Sequence, residues 1–285
     1  MLAFAAFITL VVYIFTQALG FEGPSALGLS GIALIIAGIM NFFSYYYSDK
    51  MVMAISGAKQ IQKKDNPTLF RTVENLCIAS GLPLPKIYTI NDTATNAFAT
   101  GRNPKHASIA FTTGILDKLS KLELEGVAAH ELSHVGNYDT RLMTIVSILV
   151  GTVALAADYF LRISFYSHRG RDDNRAGGLM MVVALIMAIL APIIATLIQL
   201  SISRKREFLA DASGALLTRN PDALAEALLK ISTDKEPLEV ANKATAHLYI
   251  VNPFKNPQKL TGTFASLFNT HPPIAERVKL LREMQ

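Results

Sequence analysis

The sequence predicts a predominantly α-helical integral membrane protein, with four hydrophobic helices joined to an α+β domain that carries a small β-sheet. Three observations predict it. The 285 residues have a mean hydropathy of +0.33 and only 17% charged side chains, where a soluble domain carries about 25%. Apolar runs at Leu2 to Leu19, Leu27 to Tyr47, Leu142 to Leu161 and Leu179 to Ile202 are each long enough for a bilayer core of roughly 30 Å. The stretches between and after them turn polar and show helical or alternating periodicity.

Leu2 to Leu19 contains no charged residue. A cleaved signal peptide is the rival reading, since Ala18-Leu19-Gly20 resembles a cleavage site. No Lys or Arg precedes the run and a second run follows at once, so a retained helix is favoured. Leu27 to Tyr47 ends in Tyr45, Tyr46 and Tyr47, an interfacial aromatic cluster. Lys50, Lys59, Lys63, Lys64 and Arg71 follow, which places this region and the amino terminus in the cytoplasm by the positive-inside rule. The formal net charge of +5 is dispersed, with no basic helix and no interleaved aromatics, so nucleic acid is not an expected partner. The single cysteine, Cys77, excludes an internal disulfide.

Asn66 to Ser80 reads as an amphipathic helix with Leu69, Val73, Leu76 and Cys77 on one face, broken by Gly81-Leu82-Pro83-Leu84-Pro85. Lys86 to Ile90 is a strand, and Ala97 to Thr100 pairs with Ser108 to Thr112 across a Gly-Arg-Asn-Pro turn. An exposed edge of such a sheet can bind an extended peptide by strand addition; the pattern equally fits a structural hairpin. Ser120-Lys121-Leu122-Glu123 matches a capping box and opens the next helix, amphipathic and charged at its start.

That helix carries His130-Glu131-Leu132-Ser133-His134. Residues four apart stack on one helical face, so both imidazoles can reach one metal ion. Zinc accepts imidazole nitrogen and leaves a position for water, whose pKa it lowers to about 7, and Glu131 is then a base and not a ligand. HExxH on a helix is the zincin pattern. Asp139 follows as a second-shell candidate, or as a cap or partner of Arg141.

Leu142 to Leu161 and Leu179 to Ile202 flank a loop with Arg169, Arg171 and Arg175, which a spanning model puts on the wrong side of the membrane. Either flanking charge outvotes the loop, which we favour, or the segments form a shallow hairpin. After them, Glu207 completes a His₂Glu site on a second helix, and Asp211 one turn later can hold a ligating imidazole through its other nitrogen. Asp222 to Ile231 and Ile274 to Met284 read as helices, and Lys235 to Gln258 as irregular. The chain therefore divides into a transmembrane hairpin (1–48), a first catalytic half with the zinc helix (49–141), a second hydrophobic hairpin (142–202) and a second catalytic half (203–285).

The run His130 to Arg141, with Ser203 to Asp211, Asn96-Ala97-Phe98-Ala99-Thr100-Gly101 and Thr270 to Arg277, resembles the HtpX group of membrane-bound zinc metallopeptidases, related to the CAAX prenyl endopeptidases. The resemblance covers nearly the whole chain and no ligand position departs from it. It implies a gluzincin-type catalytic domain with one Zn²⁺ per chain, in the cytoplasmic membrane and facing the cytoplasm. It implies quality control of misfolded membrane proteins, alongside other quality-control partners. It also places Asn96, Ala97 and Phe98 on a substrate-binding edge, makes His271 a donor to the oxyanion of peptide hydrolysis, and has Arg277 support that region. His271 is also one of the few remaining donors that such chemistry needs. Other readings are a prenyl-protein peptidase or a non-hydrolytic metal-dependent scaffold or transporter; for the last, intramembrane polar residues such as Asp158 and Gln199 are few.

Overall fold

A computed structural model describes residues 23–146, 204–240, 245–251 and 272–284, with positions 6, 9, 10 and 13 of the first segment. The chain divides into two compact units, Met1–Tyr47 with Leu149–Thr196 and Ser48–Ile148 with Leu197–Gln285. In the first unit, helix α1 (Pro24–Tyr46) has no charged side chain and exposes Leu27, Ile32, Ile35, Ile36, Ile39 and Phe42. Phe42 packs on Tyr46 at 4.6 Å between ring centroids, and Tyr45 meets Tyr46 edge-on at 5.4 Å. Among the described residues no helix is long and apolar enough to cross a membrane, and α1 itself includes side chains outside the described set. Leu2 to Leu19, Leu142 to Leu161 and Leu179 to Ile202 fall largely or wholly outside the described residues.

The second unit is built on a four-stranded sheet. Its elements are α2 (Ser48–Ile55), β1 (Lys59–Gln60), α3 (Pro67–Ser80), β2 (Lys86–Ile90), β3 (Ala97–Gly101), β4 (Ala107–Thr112), α4 (Thr113–Lys118), α5 (Lys121–Gly136), α6 (Arg204–Thr218), α7 (Pro221–Thr233) and α8 (Ile274–Arg282). Strand order is β1-β2-β4-β3, with β3 antiparallel to β4 in the register Phe98 opposite Ala110, and β2 parallel to β4. The expected hairpin is present. The parallel neighbour is an addition, because pairing across that distance in sequence leaves no local signal.

Alternation along the strands sorts side chains onto two faces. Ile87, Ala97, Ala99, Ile109 and Phe111 join Leu69, Val73, Leu76, Val127, Leu132 and Leu228 in the larger core. Tyr88, Ile90, Phe98 and Ala110 join Val52, Met53, Met143, Leu238, Leu248 and Tyr249 in the smaller one. With both faces covered, every residue of β3 and β4 is buried.

The helix α3 starts where Asn66 accepts a hydrogen bond from the Leu69 N–H at 3.0 Å, with Pro67 in its first turn, and it ends at Gly81 in the left-handed region at φ 69°. Beyond α5 and a two-residue turn the chain is helical again. Apolarity assigns Leu142 onward to the third hydrophobic segment, yet positions 139–146 are helical and pack in the second unit, with Met143 in the smaller core and Thr144 Oγ1 2.8 Å from Thr100 Oγ1.

Candidate metal centre

The helix α5 begins at a complete capping box. Ser120 Oγ accepts from the Glu123 N–H at 3.4 Å, and the Glu123 carboxylate accepts from the Ser120 N–H at 2.7 Å. Its amphipathic character does not hold: Leu124, Val127, Ala128, Ala129, Leu132 and Val135 are all buried, because α3, α6, α7 and β3 each pack against it. It is the central helix of the unit. His130 and His134 are therefore interior groups, 1% and 4% exposed.

Their partner is on α6, which crosses α5 at short range. A β-carbon at Gly214 would sit 3.0 Å from the backbone nitrogen of His130, so any larger residue would push the helices apart by a few tenths of an ångström. The crossing brings Glu207 Oε1 to 3.5 Å from His134 Nε2 and Oε2 to 3.8 Å from His130 Nε2. The two Nε2 atoms lie 3.2 Å apart on rings set at 90°. One donor atom from each of His130, His134 and Glu207 falls within 4.8 Å of the others. Two imidazoles and a carboxylate so converged suit a divalent metal with an open coordination position, as zinc in a catalytic site requires.

Each imidazole is held from behind by an aspartate, and each aspartate by an arginine. His130 Nδ1 lies 2.9 Å from Asp211 Oδ1, and Arg277 donates to both Asp211 oxygens, Nε and Nη2 at 2.7 Å each. His134 Nδ1 lies 3.0 Å from Asp139 Oδ2, and Arg206 donates to Asp139 Oδ1. With Nδ1 occupied in this way, Nε2 of each ring is free to face the metal. Tyr138, with φ 61°, makes the left-handed turn after α5 that precedes Asp139. Asp139 thus meets His134 and Arg206.

The site's charges follow from burial and these partners. Burial raises the Glu131 carboxyl to about 7, assisted by the negative charge of Glu207. Burial alone would lower His134, but hydrogen bonds to Asp139 and Glu207 outweigh it and raise the imidazole to about 10. For His130 burial prevails over Asp211 and the shift is downward. For Asp211 burial acts upward, yet Arg277 overcomes it and holds the carboxyl at about 2.

Strand β3 runs beside α5, and the Ala99 backbone amide acts to lower the proton affinity of Glu131, against the effect of burial. Its outer edge is not open along its length. Ile250 N–H donates to the Ala97 carbonyl at 3.0 Å, Asn96 Nδ2 donates to the Val251 carbonyl at 3.0 Å, and Gly101 N–H donates to Thr144 Oγ1 at 3.2 Å. Phe98 is fully buried on the other face of the sheet, edge-on to Tyr249 at 5.0 Å. Of the residues expected from sequence, His130, Glu131, His134, Asp139, Glu207, Asp211 and Arg277 are brought together. Asn96 and Ala97 sit at the adjoining edge, Phe98 is turned away, and His271 lies outside the described residues. Arg206, Ala99, Thr144 and Ile250 carried no signal, since their partners are all distant in sequence.

A buried HExxH helix, a glutamate supplied by a crossing helix and an edge strand beside them define a metallopeptidase. The chain belongs to peptidase family M48, whose profile matches residues 63–285. It is 46% identical over 280 residues to a protein described as "Protease HtpX homolog" from Tropheryma whipplei (strain Twist), covering 96% of this chain and 94% of that one. It is 45% identical over 253 residues to a protein of the same description from Dictyoglomus thermophilum, covering 89% and 81%. The crystal structure of S. mikatae Ste24p shares the fold, with a TM-score of 0.52 at 19% identity over 95% of this chain and 61% of that one.

Proposed function

We propose that this metalloprotease holds one zinc ion on His130, His134 and Glu207 and acts as an endopeptidase at the cytoplasmic membrane, cleaving misfolded membrane proteins. The observation that carries the reading is a three-donor site with both imidazoles held from behind and a buried carboxylate beside them. When bound, zinc supplies Lewis acidity to a water and to the scissile carbonyl. Glu131, with its proton affinity tuned close to neutral pH, takes a proton from the attacking water and returns it to the leaving amine. His271 donates to the oxyanion, Arg277 and Asp211 hold His130, and β3, with Asn96 and Ala97 at its start and Phe98 behind it, aligns the substrate backbone where its outer edge is not taken by Ile250 and Thr144.

The uncharged, exposed face of α1 supports insertion in lipid, with four apolar segments in two hairpins and the catalytic unit (49–141 with 203–285) facing the cytoplasm, in company with other quality-control factors. The test is Glu131→Gln in the full chain, purified in detergent, with an unfolded membrane protein as substrate. Cleavage should be abolished while zinc remains bound, and the wild type should lose activity to chelator and regain it with zinc. Full activity in the variant would sink the mechanism.

A further inference from the structure

The two histidines are held by unequal supports. Asp211 is gripped through both oxygens by Arg277, which is fully buried. Asp139 divides its oxygens, giving Oδ2 to His134 and Oδ1 to a single nitrogen of Arg206, whose side chain is 41% exposed while that of Asp139 is 2% exposed. A carboxylate so buried is costly without a cationic partner. Arg206 is thus the one arginine of this pair of relays that reaches solvent. It also stands immediately before Glu207, so one turn of α6 supplies both a ligand and the group that steadies another ligand from behind.

From this we infer that Arg206 is a positioning residue of the metal centre: through Asp139 it fixes the His134 ring, and it sets the affinity of the site for its metal without touching the metal. The contact also joins the two points at which the chain departs for and returns from its second apolar stretch, Asp139 lying just before Leu142 and Arg206 just after Ile202.

This inference rests on the zinc reading, and the test separates the two. Zinc affinity is measured on the full chain in detergent by competition with a chromophoric chelator, for wild type, Arg206→Gln, Arg206→Lys, Asp139→Asn and the Arg206→Gln/Asp139→Asn double variant. Partners behind a ligand typically contribute 10–100-fold in affinity, and an arginine one step further out stands at the lower end, about tenfold. Arg206→Gln should weaken binding by about that factor, Arg206→Lys should recover part of it, and the double variant should bind no worse than Asp139→Asn alone. The melting temperature of the chelator-treated protein should fall in Arg206→Gln, because buried Asp139 loses its cation, and Arg206→Lys should recover part of it together with the zinc affinity. Unchanged affinity in Arg206→Gln, or a cost that adds in full to that of Asp139→Asn, would overturn the role of Arg206. Absence of zinc binding by the wild type would instead overturn the metal assignment itself.

Discussion

At the scale of single residues, the centre is governed by which proton sits where. His134, raised to about 10, carries a proton at neutral pH that must leave before its nitrogen can ligate. Zinc uptake at pH 7 should therefore release about one proton from this residue. Titration calorimetry in buffers of different ionisation enthalpy reads that number directly, and a value near zero would contradict the charge assignment. Asp211 gives a second expectation. Its carboxyl is held at about 2 against an ordinary 3.8, so the stability it contributes is present above pH 3.8 and disappears as pH falls through about 2. Acid denaturation of the chelator-treated protein should show that loss in this window, and Arg277→Gln should shift it upward while costing about 3–5 kcal/mol in melting experiments, since it strands a buried carboxylate. His130 and His134 were legible as candidate ligands because a spacing of four on one helix sets them side by side, and Glu207 because a glutamate downstream completes that pattern; Arg206 was not, because nothing in Arg204-Lys205-Arg206 says which cation will meet Asp139.

At the scale of elements, the crossing of α5 and α6 sets the metal geometry. Gly214→Ala would place a methyl 3.0 Å from the His130 nitrogen and force the helices apart, at about 1–3 kcal/mol in stability. Zinc affinity should fall with it, because Glu207 rides on the displaced helix, and an unchanged zinc dissociation constant would show that the site does not depend on that approach. The capping box offers a milder perturbation: Ser120→Ala should cost about 1 kcal/mol by chemical denaturation and leave zinc affinity alone, ten residues from the first ligand. Elements with local signals were readable in advance, such as Asn66-Pro67 opening α3, Gly81 closing it and the capping box of α5. The parallel β2–β4 pairing, and the binding of the β3 edge by Ile250 and Thr144, depend on chain segments far apart in sequence and left no trace in it.

At the scale of the whole molecule, the catalytic unit is assembled from two stretches that a hydrophobic insertion separates. A metal that ligates both stretches acts as a reversible cross-link. Saturation at about 1,000 times the dissociation constant should stabilise the fold by about 4 kcal/mol, and chelation should remove it, which thermal melting in detergent would show as a lower midpoint.

The same arrangement orders events during synthesis. The ribosome emits His130 and His134 about 70 residues ahead of Glu207, and Arg277 later still, which at roughly 5–20 residues per second is a delay of several seconds. Throughout that interval the apolar stretch 142–202 is made while the proposed site still lacks its third donor. Ribosome-arrested chains ending before residue 204 should neither retain zinc nor cleave. If the apolar segments insert as proposed, the newly made enzyme stays disarmed until that insertion is over.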